Sequence, residues 1–210
     1  MKATLKGKYE NIKSSATASL SVDVIASDVK LKAIVTDLAV AYAISFSLEK
    51  PGSFSIGYSP EKGVKFQFMN SMKVLGRAVD LTYTDARGEN RTAVDGAVAF
   101  DARNRVAASH ALGTKEWKVR HTYTHGALRR TVAETSYDFK SHAWDFVVTS
   151  RFQWGDAVKA TYRTSTRVLG LEWARNSPAT GTFKISASIN MAERKTVPKL
   201  TAESTWKYEI

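Results

Sequence analysis

One pattern runs through this chain from end to end: apolar and polar residues alternate with a period of two. Ala3, Leu5, Gly7 and Tyr9 alternate with Lys2, Thr4, Lys6 and Lys8. Val29, Leu31, Ala33 and Val35 alternate with Asp28, Lys30 and Lys32. Trp117, Val119, His121 and Tyr123 alternate with Glu116, Lys118, Arg120 and Thr122. Trp144, Phe146, Val148, Phe152 and Trp154 alternate with Asp145, Val147, Thr149, Arg151 and Gln153. In an extended backbone successive side chains point to opposite faces, so each run reads as a strand with one apolar and one polar face.

Turn residues separate the runs: PG at Pro51, RGEN at Arg87, DARN at Asp101, HG at His125, GD at Gly155 and NSPATG at Asn176. Leu169, Leu171 and Trp173 carry the apolar parity opposite to that of Val158, Ala160 and Tyr162, which requires a turn or bulge near residues 164–166. Two stretches, Asn104–Ala111 and Gly126–Thr135, suit helix as well as strand, and we assign them as strands because their neighbours need antiparallel partners. Pro51 is compatible with one long strand or a hairpin, and residues 72–77 are equally open. The expected fold is all-β: one antiparallel barrel over residues 1–210, with 12 to 16 strands and 14 as the centre.

Alternation alone does not separate a soluble β-barrel or sandwich from a membrane barrel. Three features favour the membrane. The strand count exceeds the eight or so that side chains can fill. Aromatic residues gather at run ends, as amphipathic rings do at a bilayer interface. The polar face carries Lys, Arg, Ser or Thr in nearly every run, as a wetted wall would. The longest apolar run lies near Leu38–Ile44, far short of a membrane-spanning helix of roughly 18–20 residues. A mean hydropathy of −0.27 suits a barrel, in which only alternate residues meet lipid.

The 31 basic and 20 acidic residues give a net charge of +11. Lys and Arg are spread one or two per run from Lys2 to Lys207, which disfavours a nucleic-acid patch and favours a distributed basic lining. There is no cysteine, which excludes disulfides and thiolate chemistry. MKATLKGKYE has no apolar signal-peptide core, so the expectation is insertion from the cytosol without a cleaved presequence, or a mature chain.

Face parity nominates the functional residues. Expected on a water-filled wall are Lys6, Lys8, Lys30, Lys32, Lys65, Lys118, Arg120, Asp145, Arg151, Lys159, Arg163, Glu172, Lys184 and Glu203. Expected towards lipid or in aromatic girdles are Tyr9, Trp117, Trp144, Phe146, Val148, Trp154, Trp173, Trp206 and Tyr208. His110, His121, His125 and His142 lack metal-ligand spacing, and no metal or other cofactor is expected. No GxSxG motif occurs. Asp80, Asp95, Asp145, Glu172 and Glu203 beside Lys and Arg read as salt-bridged wall rather than paired catalytic carboxylates, so no enzyme is expected.

MKATLKGKYE, EKPGSF, VKFQFMN, ENRTAVDG, WDFVVTSRF, ATYRTSTRVLGLEWARN and VPKLTAESTWKYEI together resemble the plastid outer envelope pore proteins of the 24-kilodalton type, over essentially the whole chain. The resemblance implies a barrel in the outer envelope of chloroplasts and other plastids that passes sugar phosphates, phosphate, dicarboxylates, nucleotides and amino acids by diffusion. Its partners are then membrane lipid and small anionic and zwitterionic solutes; a homo-oligomer is allowed, and nucleic acid is not expected. No catalytic residue transfers. The rival readings are a soluble basic β-barrel or sandwich binding an acidic ligand or partner, and a barrel enzyme whose Ser/His/acid cluster the sequence does not reveal.

Overall fold

The computed structural model describes residues 2–11, 15–38, 41–126, 128, 130–177, 181–193 and 197–209. Within them lie sixteen strands and one short 3-10 turn at Arg87–Glu89. The first eight strands are β1 (Lys2–Glu10), β2 (Ser15–Ala26), β3 (Val29–Leu38), β4 (Ala41–Lys50), β5 (Phe54–Ser59), β6 (Gly63–Val74), β7 (Arg77–Ala86) and β8 (Arg91–Ala99). The second eight are β9 (Asn104–Ala111), β10 (Trp117–His125), β11 (Thr131–Asp138), β12 (Ala143–Arg151), β13 (Asp156–Arg163), β14 (Val168–Ser177), β15 (Gly181–Asn190) and β16 (Lys199–Glu209). Each pairs antiparallel with the next in sequence, and β1 pairs with β16 to close the barrel. The closing seam runs from Lys2 opposite Glu209 to Glu10 opposite Thr201. Closure removes both edges, so the ladders use the backbone groups that an open sheet would leave unpaired.

The strand number is sixteen, against the fourteen at the centre of the sequence reading, because both ambiguous points are hairpins. At Lys50–Ser53, Pro51 presets φ, Gly52 takes φ +72, and the Ser53 amide donates to the Lys50 carbonyl at 3.1 Å. At the other point Leu75 and Gly76 both have positive φ, 51 and 77, the geometry of a two-residue type I′ turn. Leucine is a poor sequence signal for such a turn, and Leu75 is almost fully exposed at its tip. Of the two stretches with helical propensity, residues 104–111 are β9; in the second only residues 131–135 are strand, opening β11, and Gly126, Leu128 and Arg130 lie outside it. The run written as Trp144 to Trp154 ends at Arg151; residues 152–155 turn the chain, with the Phe152 amide donating to Asp156 O at 2.8 Å. Gly155 is required there: its φ is +91, and a Cβ would lie 2.7 Å from the Asn176 carbonyl oxygen. The parity change before Leu169 is the turn at residues 164–167.

No packed apolar core exists among the described residues. The buried apolar residues are Ala3, Ala86, Ala111 and Ala143, and no large side chain is fully buried. Phe46 and Phe68 are 50% and 57% exposed, as are many Leu, Ile and Trp to similar degrees. A soluble β-sandwich would bury these residues against a second sheet. Here they cover the outside of the barrel, a continuous apolar surface far larger than a soluble monomer carries. With sixteen strands, a spacing of roughly 4.8 Å and a tilt of about 40°, the backbone cylinder is about 32 Å across. No helix among the described residues is long and apolar enough to cross a membrane, so only the strands could do so.

Candidate pore lining

Directly paired residues in neighbouring strands share a face of the sheet. Tracing the pairs from Asp145 therefore sorts the whole wall. Asp145 pairs with Arg163 and Ser136; Ser136 pairs with Arg120, and Arg120 with Ala107. Lys159 pairs with Glu172 and Thr149, Lys184 with Glu203, and Glu203 with Lys8. Lys32 pairs with Asp23 and Ser47, and Gly57 pairs with both Ser47 and Lys65. Followed round all sixteen strands, the trace returns to its start without changing face.

That face is the concave one. Lys118 on β10 reaches Asp145 on β12 at 3.1 Å, and Arg105 on β9 reaches Asp80 on β7 at 3.0 Å, each over an intervening strand. Side chains converge in this way inside a curved sheet and splay apart outside it. The same face lines three hollows, of about 260, 500 and 330 Å³, over β7–β10, β10–β14 and β13–β16 with β1.

All fourteen residues nominated for a wetted wall share this inner face: Lys6, Lys8, Lys30, Lys32, Lys65, Lys118, Arg120, Asp145, Arg151, Lys159, Arg163, Glu172, Lys184 and Glu203. Of the nine nominated for lipid or girdles, Trp154 lies in the 152–155 turn and the others share the outer face. Tyr9, Trp117 and Trp144 lie near one rim, and Trp206, Tyr208 and Trp173 lie towards the other. Trp117 stacks on His110 at 4.1 Å, and Trp144 meets Tyr137 at 4.8 Å.

The sequence list missed inner-face charges. Arg105 and Glu134 sit in the two stretches of ambiguous propensity, where small residues such as Ala107, Ala108 and Ala133 blur the alternation. Glu10 and Lys199 lie at strand ends, where parity is read from few neighbours.

Several inner charges join into chains, while Arg105–Asp80 and Lys32–Asp23 are isolated pairs. Across the closing seam, Lys184 lies 3.6 Å from Glu172 and 3.0 Å from Glu203, and Glu203 is 3.0 Å from Lys6. Glu10 takes Lys8 at 2.7 Å and Lys199 at 3.1 Å. Asp145 is shared between Lys118 and Arg163. Among the described residues, Lys30, Lys65, Arg120, Arg151 and Lys159 lie on the inner face and form no ion pair. Gly170 belongs to this face, where a Cβ would lie 2.5 Å from the Thr161 hydroxyl, so a larger residue must displace the Thr161 side chain.

At the rim a second set of charges sits in the connections. Glu116 accepts from Lys140, and Arg91 lies 3.9 Å from it. The Lys140 hydrogen bond holds the Glu116 carboxyl below its ordinary range, and the same contact raises Lys140. At the other rim Asp28 is lowered by its hydrogen bond from Lys50. The four histidines do not converge: His110 and His121 are on the outer face, His125 ends β10, and His142 is in the 139–142 turn. No cluster of potential metal ligands exists among the described residues.

Comparison with known proteins adds two kinds of likeness. A family model described as outer envelope pore protein 24 matches residues 1–209. Outer envelope pore protein 24B, chloroplastic, of Arabidopsis thaliana is 44% identical over 216 residues, covering 100% of this chain and 99% of its own. Outer envelope pore protein 24, chloroplastic, of Oryza sativa subsp. japonica is 46% identical over 224 residues, covering 100% of both. In three dimensions the barrel is similar to a mutant porin of Rh. blastica, with TM-score 0.59 over 98% of each chain at 8% identity. It is also similar to Salmonella typhi OmpF in complex with daunomycin, with TM-score 0.58 over 99% of this chain and 96% of the other at 10% identity. At such low identity the porins speak for the fold alone.

Proposed function

The chain belongs to the outer envelope pore protein 24 family, and from that premise we propose that it is a channel of the plastid outer envelope, not an enzyme, that passes small charged metabolites by diffusion. The observation that carries this reading is the two-sided wall: a continuous apolar exterior on a closed barrel whose inner face holds ionic chains and unpaired Lys and Arg. Lipid offers no hydrogen-bond partners, so closure and an apolar exterior are what a bilayer requires. Water fills a lumen that side chains cannot occupy, since a cylinder of about 32 Å leaves about 15 Å once they are placed.

The charge of the wall supports the solute classes that the family resemblance implies. The unpaired cations draw anions towards the wall, while the paired carboxylates moderate the field and leave the lumen passable to cations and zwitterions. Sugar phosphates, phosphate, dicarboxylates, nucleotides and amino acids fit this chemistry. Binding along such a wall is weak and distributed, which suits rapid exit.

Planar-bilayer recording tests the reading. The refolded chain should produce discrete conductance steps. Changing Lys118, Arg120, Arg151, Lys159 and Arg163 together to Gln should move the reversal potential in a salt gradient towards cations at low salt. The shift should fade as salt rises, because the Debye length of about 10 Å at 0.1 M is comparable to the lumen radius. High-salt conductance should stay near that of the unaltered chain. A reversal potential that does not move at any salt concentration would contradict the lining assignment.

A further inference from the structure

Arg120 and Lys159 stand where the hollows of the inner wall meet. Arg120 lines both the β7–β10 hollow and the larger β10–β14 hollow. Lys159 lines the larger hollow and the one beyond it, over β13–β16 and β1. We propose that the β10–β14 hollow is a transient binding site for the phosphoryl group of a passing solute, with Arg120 and Lys159 as its unpaired cations. The proposal deepens the channel reading and rests on it.

The charged residues lining this hollow are Lys118, Arg120, Glu134, Asp145, Lys159 and Arg163, and Tyr162 borders it as well. Asp145 is engaged by Lys118 at 3.1 Å and by Arg163 at 3.3 Å, so those charges largely cancel one another. Arg120 and Lys159 have no ion pair among the described residues. Between Arg120 and Asp145 the register places Ser136, whose short side chain is buried and leaves the floor of the hollow low. The result is a depression of about 500 Å³ with two uncommitted cations. A phosphate monoester is a dianion near neutral pH with three acceptor oxygens, and a hollow with two unpaired cations draws it more strongly than it draws a single carboxylate. Glu134 opposes it. That opposition and the open water keep the site weak, which conduction requires.

The sharing of Arg120 and Lys159 between successive hollows gives the site a way out as well as a way in. A phosphoryl group that leaves the β10–β14 hollow past Lys159 meets Lys199 and Lys8 in the next hollow, both held by Glu10. The inner face of β4 and β5 carries Ser45, Ser47, Ser55 and Gly57, with Glu49 opposite Lys30.

Planar-bilayer recording in potassium chloride, with inorganic phosphate or glycerol phosphate added at constant ionic strength, tests the site. For the unaltered chain, phosphate should lower the chloride current saturably, with half-effect at about 1–10 mM. Arg120→Gln and Lys159→Gln should each raise that concentration about five- to tenfold, the usual scale for losing one charge-assisted contact. Glu134→Gln should lower it. Lys30→Gln, which removes an unpaired inner-face cation on β3 outside the hollow, should move it much less. Arg120→Lys and Lys159→Arg should stay close to the unaltered chain, and step conductance in high salt confirms that each variant has inserted. A conducting pore with no saturable phosphate effect overturns the site and leaves the channel reading standing. So does an effect that Arg120→Gln and Lys159→Gln do not move, or that Lys30→Gln moves equally. Absence of conductance steps from the unaltered chain overturns the channel reading and the site with it.

Discussion

The Lys118 ammonium lies 3.1 Å from one carboxylate oxygen of Asp145, and the Arg163 guanidinium lies 3.3 Å from the other. One acid on β12 thus holds two cations from β10 and β13. These groups are a quarter to three-fifths exposed, so water screens the arrangement and its worth to folding is small, about 0–1 kcal/mol. Its consequence is electrical. Asp145→Asn should release two cations to the lumen, shifting the reversal potential towards anions at low salt with little change in refolding yield. A shift towards cations would mean that Asp145 does not face the solute path.

The faces of β12 can be mapped chemically, because the natural chain has no cysteine to remove. Single cysteines at Asp145, Val147 and Thr149 should react with a membrane-impermeant thiol reagent in reconstituted bilayers. Those at Phe146 and Val148 should not. Uniform labelling along the strand is the outcome that defeats the assignment.

Val148 and Thr149 are neighbours with opposite fates. Val148 is near the middle of β12, on the outer face between Ala133 and Ala160. Val148→Arg should cost roughly 2–4 kcal/mol of folding stability in lipid, the scale for a charge at the midplane of a barrel's lipid face. Thr149→Arg adds a lumen cation beside Lys159 and should cost less than about 1 kcal/mol. Urea-dependent refolding into lipid vesicles compares the two, and equal penalties would be incompatible with the two-sided wall.

The rim pair Glu116–Lys140 gives a pH prediction. The hydrogen bond from Lys140 lowers the Glu116 pKa relative to the unfolded chain. A depressed carboxylate stabilises the fold above its unfolded pKa, and that contribution is lost as pH falls through the folded value. Carbon-13 titration of Glu116 in detergent micelles should therefore give a midpoint below the ordinary 4.5. Lys140→Ala should return it towards that value, while lumen conductance at neutral pH stays as it was. A midpoint at or above 4.5 in the unaltered chain would show that the contact does not persist in solution.

Much of this molecule was settled by period-two alternation. The split between Lys118, Arg120 and Thr122 on one side and Val119, His121 and Tyr123 on the other is a property of extended backbone and needs no partner strand to define it. The same holds along β12, β13 and β15, where most residues on one face are apolar. Alternation fails where small residues occupy both faces, which is why Arg105 and Glu134 escaped notice beside Ala107, Ala108 and Ala133. It also fails at turns whose conformation the residue type does not announce: Leu75 takes positive φ because the register of β6 against β7 requires it, and leucine carries no preference for that conformation. Those hairpins decided sixteen strands over fourteen, and hence a wider lumen.

The sequence by itself determined the strands, their two faces and the absence of thiol chemistry, because these depend on local geometry and composition. Only the tertiary structure decided which face is concave, since curvature comes from closing β1 onto β16 and not from any one strand. It alone decided which charges are neutralised. Lys118 and Arg120 are two residues apart and read alike in the sequence. One is committed to Asp145, 27 positions away, and the other faces the lumen without an ion pair among the described residues. Contact between such distant positions depends on register and on the inward convergence of side chains across an intervening strand, neither of which local alternation encodes.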